Sequence, residues 1–195
     1  SIALITDSQV LRVFLLGIIC VGITLGIANQ YLVVYLDEIN ASAWIVGFTV
    51  AVTAFPEIPI MSYAETFIRK WGLRITYVIG ISALPIRWFF NILVTDPNIA
   101  LPIQVLHGIA MSALLAVGTI FVDNILPKRL RASGQALYLS SLYGLGPSIG
   151  LFLGGFLMSY GSTRPLWALC LASGIIGCYI INSAMKLVNR QTLEE

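Results

Sequence analysis

The chain has 195 residues, 58% hydrophobic and only 10% charged, with 11 Lys and Arg against 9 Asp and Glu. Soluble domains carry about a quarter charged residues, so this composition excludes an ordinary soluble enzyme and a disordered tail, and a net charge of +2 gives no basic patch for nucleic acid. An all-α integral membrane protein, in contact with a lipid bilayer along most of its length, is what remains.

A spanning helix needs about 20 apolar residues, so the length holds six or seven. Punctuation predicts six. The first runs over about 10–36 and ends at Asp37-Glu38-Ile39-Asn40. The second covers 43–68, with Ser42 as its N-cap, and fades at Arg69-Lys70. The third covers 74–94 and stops at the turn signal Thr95-Asp96-Pro97-Asn98. The fourth, 99–126, is ended by Pro127-Lys128-Arg129, and the fifth, 132–160, by Gly161-Ser162-Thr163. The sixth, 165–187, opens on Pro165, a favoured first helical residue. Residues 1–195 therefore read as a single six-helix transmembrane domain. The chain opens on Ser1 rather than Met, which points to a processed or partial chain.

Counting cations by side orients the bundle. Arg12, Arg69, Lys70, Arg74, Lys128, Arg129, Arg131, Lys186 and Arg190 fall on one side, and only Arg164 on the other, beside Asp37, Glu38 and Asp96. The positive-inside rule then puts both termini in the cytoplasm. Trp44 and Trp167 at outer helix ends and Trp71 at an inner one fit an aromatic belt. The expected location is the plasma or inner membrane, with an organellar membrane left open.

Gly146, Gly150 and Gly154 recur every fourth residue on the fifth span, as Gly22 and Gly26 do on the first. Stripes of this kind let helices pack closely in lipid; a sliding surface for conformational change is the other reading. Cys20, Cys170 and Cys178 lie in apolar runs, and Cys170 and Cys178 stand about 12 Å apart on one helix, too far to bridge.

Ionisable groups at membrane depth are costly and mark candidate sites. Three qualify: Glu57 on the second span, Arg87 on the third and His107 on the fourth. Arg87 and His107 lie at matching depths, roughly 11 Å below the outer surface, and Glu57 about 21 Å below it. Pro56 and Pro59 flank Glu57 and bend its helix, as happens where a helix lines a cavity. A Glu57–Arg87 charge pair, or contacts from both to a solute, is expected, with His107 as a titratable neighbour. Asn29 and Gln30 on the first span and Asn91 on the third add hydrogen-bonding groups to the solute or ion pathway. Glu65, Arg69, Asp123 and Arg131, at cytoplasmic helix ends, are expected to form a gating network; weak solvated pairs are the alternative. One histidine, no Cys/His metal cluster and no phosphate-binding loop leave no catalytic residue, metal or cofactor to propose.

Several motifs resemble the major facilitator superfamily, specifically the C-terminal half of a twelve-helix permease. They are Tyr35-Leu36 through Asn40-Ala41-Ser42 to Ile45-Val46-Gly47, Glu57-Ile58-Pro59, Arg69-Lys70-Trp71-Gly72-Leu73-Arg74 and Leu106-His107-Gly108. The most specific are Arg131-Ala132-Ser133-Gly134-Gln135-Ala136, Tyr143-Gly144-Leu145-Gly146-Pro147 and Gly150 followed by Gly154-Gly155. The likeness covers essentially the whole chain and is nearest the branch of lactose permease, phenylpropionate permeases and nucleoside:proton symporters. It implies one half of a major facilitator fold, a 3+3 inverted repeat, and transport by alternating access. It also implies that Arg87 and His107 match a functional arginine and histidine of that branch, with Glu57 about one turn from its substrate-binding carboxylate. Ala110 stands where the proton-carrying carboxylate belongs, and Arg69 and Glu65 replace the acid and first glycine of the loop motif. The implied partners are a small polar or organic solute and a second six-helix half, upstream in the same polypeptide or in another chain. The alternative is a degenerate half-transporter serving as a structural or assembly subunit of a larger membrane complex.

Overall fold

The structure is a computed structural model describing residues 8–194, without the side chains of Val50 and residues 189–194; Arg190, counted above, lies outside the described side chains. It is all-helical, with no strand among the described residues. Six helical segments are long and apolar enough to cross a membrane: Gln9–Glu38, Ala43–Ser62, Leu73–Leu93, Pro97–Ile125, Lys128–Met158 and Arg164–Val188.

The first span is one continuous helix, α1 (Gln9–Glu38), capped where Ser8 Oγ accepts the Leu11 N–H at 3.2 Å. It ends because Asn40 turns left-handed, at φ 60°, which lets the Ala41 N–H reach back to the Leu36 carbonyl at 2.8 Å. The second span was expected to be one helix over 43–68. It is three segments instead: α2 (Ala43–Ala54), α3 (Glu57–Ser62) and α4 (Ala64–Trp71). Pro56 and Pro59 have no N–H to give the preceding turn, so the winding breaks around them.

Gly72, at φ 81°, makes the joint to the third span, α5 (Leu73–Leu93). The fourth span is α6 (Pro97–Ile103), α7 (Val105–Ser112), a π-helical turn at Ala113–Val117, and α8 (Gly118–Ile125). The fifth is α9 (Arg131–Ser140), a second π turn at Ser141–Leu145, and α10 (Gly146–Met158). The sixth is α11 (Arg164–Glu194).

The bundle has two distinct ends. At the basic end, Trp71, Arg74, Asn124 and Met185 surround one cleft. At the opposite end, Glu38, Asn40, Thr95, Thr163 and Arg164 surround another, of about 180 Å³. The first span packs chiefly on the sixth and fifth spans, and the third packs on the sixth. Near the basic end, the Phe14 ring lies 4.7 Å from Phe121, 5.7 Å from Tyr138 and 6.0 Å from Tyr77. Towards the other end, Trp88 and Trp167 stack at 5.5 Å and Tyr35 meets Trp167 edge-on at 5.4 Å. Trp167 is fully buried in that stack, so the lipid-interface role expected for it is corrected here to a core role.

Backbones touch where the small-residue stripes meet. A Cβ at Gly150 would stand 2.3 Å from the Ile23 carbonyl oxygen, and one at Gly26 2.5 Å from that of Pro147. Only glycine permits helices to approach so closely, which in lipid supplies packing that no hydrophobic force provides. The second span contrasts with this: 6% of its most apolar stretch is buried, against 67% in the first.

Candidate functional site

The polar residues of the interior converge at a break in the fourth span. Pro102 lies inside α6, and the helix reorganises at Gln104, between α6 and α7. There the backbone N–H of Gln104 bonds to the Leu101 carbonyl at 3.1 Å instead of the Ala100 carbonyl one residue further back. Gln104's own side-chain amide takes that vacated acceptor, with Nε2 donating to Ala100 O at 2.9 Å. A polar side chain thus repairs the helix that it interrupts, as a backbone group in hydrocarbon must be satisfied internally.

The other end of the same amide faces the third span. Arg87 Nε donates to Gln104 Oε1 at 2.8 Å, and Arg87 Nη1 donates to His107 Nδ1 at 2.9 Å. Gln104 Nε2 also lies 3.4 Å from Asn91 Oδ1, one turn beyond Arg87. The Arg87 guanidinium sits 4.5 Å from the centre of the Trp88 ring, within cation–π range. Arg87, Asn91 and Gln104 are each at most 1% exposed, whereas His107 is partly accessible. A buried guanidinium held by neutral acceptors, with no carboxylate ion-paired to it among the described residues, carries its charge at membrane depth, where a functional role is the default expectation.

Glu57 is not part of this cluster. Among the described residues no ion pair or hydrogen bond joins it to Arg87, whose guanidinium is held by Gln104 and His107 instead, so the expected charge pair is not formed here; Glu57 lies on the deeper of the two levels, as the helical rise placed it. Glu57 opens α3 at the proline break, half-buried, within electrostatic reach of the exposed Tyr143 phenol on the fifth span. Its backbone carbonyl accepts from Ser112 Oγ at 3.1 Å. Gly108 lets the second span press on the fourth at that point, since a Cβ there would meet Pro56 Cβ at 2.8 Å. Asn29 and Gln30 are exposed on α1 and take no part in the Arg87 cluster.

At the basic end the expected four-residue network is also different. Asp123 Oδ1 accepts from Gln135 Nε2 at 2.9 Å, and the same nitrogen donates to the Thr119 carbonyl at 2.8 Å. Arg131 Nε is buried with no hydrogen-bond partner, and Glu65 and Arg69 are exposed on α4. A neutral glutamine, not a member of the expected set, therefore links the fourth and fifth spans here. At the opposite end, Glu38 fastens the first span to the start of the sixth. Its Oε1 accepts from Ser162 Oγ at 2.8 Å, and its Oε2 accepts from Thr163 N at 2.9 Å and Thr163 Oγ1 at 2.6 Å.

Gln104, Gln135 and Glu38 were all missed in the sequence. Gln104 and Gln135 are uncharged, so the cost of burying a charge in the membrane does not single them out. The signal for Gln104 was nonetheless there: an amide in an apolar run, two residues after Pro102 and one turn before His107, hence on the histidine's face.

Comparison with known proteins places this geometry in context. The chain is 27% identical over 168 residues to the uncharacterized transporter YwbF of Bacillus subtilis, covering 86% of this chain and 42% of that protein. It is 26% identical to the major facilitator superfamily domain-containing protein 6-like of Homo sapiens, over 89% of this chain and 30% of that one. A crystal structure of the nucleoside transporter NupG, a single-residue mutant, superposes with a TM-score of 0.81 at 18% identity, covering 94% of this chain and 50% of that chain. The chain thus spans less than half the length of the Bacillus and human relatives and half that of NupG. The MFS_1-like family model matches residues 1–169, and the chain belongs to that family of the major facilitator superfamily.

Proposed function

We propose that this chain is one six-helix half of a secondary transporter, moving a small polar or organic solute across a membrane by alternating access. The observation that carries the reading is the buried Arg87, held by Gln104 and His107 and ion-paired with no carboxylate among the described residues. Carriers of this architecture bind solute between two halves that rock against each other. The chain spans half or less of its relatives, and its second span is almost wholly uncovered, so a second half has a face to meet.

In this reading His107 meets the pathway with Arg87 and Asn91 buried behind it, and Glu57, Asn29 and Gln30 contribute to the pathway from the second and first spans. Spans one to three and four to six form the two inverted repeats. The basic end lies in the cytoplasm, following the asymmetry of Lys and Arg, at the plasma or inner membrane. There the Asp123–Gln135 link closes the fourth span on the fifth, and Glu65, Arg69 and Arg131 are left to pair with the second half when the carrier changes state. Gly146, Gly150 and Gly154 hold the fifth span to the first.

The test is uptake of a panel of radiolabelled polar solutes into vesicles containing the full-length protein. Arg87→Ala and Glu57→Ala each reduce uptake to background while the protein still reaches the membrane. Uptake that survives Arg87→Ala rejects the site.

A further inference from the structure

The Arg87 cluster admits only one assignment of its protons. Arginine has donors and no acceptor. The 2.8 Å contact from Arg87 Nε therefore requires the carbonyl oxygen of Gln104, not its nitrogen. The nitrogen end is fixed independently, because the Ala100 carbonyl 2.9 Å away can only accept. Gln104 is thus clamped at both ends, one by the third span and one by the break in its own helix.

The same logic extends one residue further. Arg87 Nη1, 2.9 Å from His107 Nδ1, needs a lone pair on that ring nitrogen. The neutral ring must then carry its proton on Nε2. Of the three side chains only His107 is partly accessible; Gln104 is 0% and Arg87 1% exposed.

From this geometry we infer that Gln104 is a positioning residue: by fixing the Arg87 guanidinium it holds His107 as the neutral Nε2–H tautomer, so that this point of the pathway presents a hydrogen-bond donor and selects solutes bearing an acceptor oxygen or ring nitrogen. The solute part rests on the transporter reading above; the tautomer part stands without it. Removing the glutamine carbonyl leaves a buried guanidinium N–H unpaired, a state costly enough for the arginine to move to another acceptor. His107 Nδ1 then loses its donor, and the ring is no longer confined to one tautomer.

The experiment uses full-length protein in lipid, labelled with ¹⁵N-imidazole histidine, with the His107 signals identified by their loss in His107→Gln. In the native protein Nδ1 is unprotonated and Nε2 protonated. Gln104→Met, close in length but with neither amide group, gives a mixture of tautomers, and Gln104→Asn, too short to hold both ends, gives the same if Gln104→Met does not fold. Gln104→Glu, which keeps an acceptor for Arg87 Nε, restores the single Nε2–H species. In uptake assays Gln104→Met raises KM about tenfold, the equivalent of one hydrogen bond of ordinary strength. An unaltered Nε2–H spectrum in both Gln104→Met and Gln104→Asn overturns the inference, whatever happens to uptake. A tautomer that responds as described, in a protein that transports none of the panel solutes, overturns the transporter reading and leaves the positioning role in place.

Discussion

The first and second spans are built from similar apolar residues and do opposite work. The first is a single helix of 30 residues with 67% of its most apolar stretch buried. The second is broken at Pro56 and again near Tyr63, with 6% buried. Three of its large side chains, Trp44, Phe55 and Ile58, are each exposed by 74–75%. Hydropathy alone does not separate an axle from a flank, because lipid accepts both. What separates them is the residue type at close approach: glycine against backbone in the first span, and proline beside an ionisable group in the second.

Substitutions that fill the glycine contacts test this contrast most severely. Gly150→Leu drives a side chain into the Ile23 backbone, where even a Cβ would stand 2.3 Å from a carbonyl oxygen. It should cost about 3 kcal/mol or more, seen as a large fall in the unfolding temperature of the purified protein in detergent. A smaller effect is expected where the first span is tied to the sixth. Glu38→Ala removes the acceptor of three hydrogen bonds at the start of α11 and should cost about 1–2 kcal/mol, in the range of a lost helix cap. The smallest belongs to the second span. A Cβ at Gly47 meets nothing within 4 Å, so Gly47→Leu should not lower the unfolding temperature and should raise it by no more than about 2–4 °C, its exposed gain in helix propensity being below about 1 kcal/mol. A Gly47→Leu protein as damaged as Gly150→Leu would erase the distinction between the two spans.

Much of the architecture was legible because a membrane imposes one strong rule, that about 20 apolar residues make a span. The six segments, the turn at Asp96-Pro97 and the cap at Ser42 all follow from it or from short-range turn chemistry. Depth was legible too, which is how Arg87 and His107 could be matched across two spans. Rotation about the helix axis was not. Glu57 lies deeper than Arg87, and the proline break in one helix and the Gln104 break in another leave the two with different neighbours. The breaks themselves were half visible: Pro56 and Pro59 announce one, whereas nothing in Ala113–Val117 or Ser141–Leu145 announces a π turn. Those depend on what the neighbouring helix offers, such as the Tyr138 hydroxyl that donates to the Leu114 carbonyl at 2.5 Å.

The π turn in the fourth span has a consequence for reading that helix as a cylinder. Each such turn holds one residue more than an α-helical turn, so the face presented by everything after it slips by about 100° relative to a regular wheel. Gln104 and His107 stand before the turn and look to the third span, while Asp123 stands after it and looks to the fifth. The inserted residue lets one span address two partners in succession, and a cysteine scan along it should show its period of accessibility fall out of phase at residues 113–117.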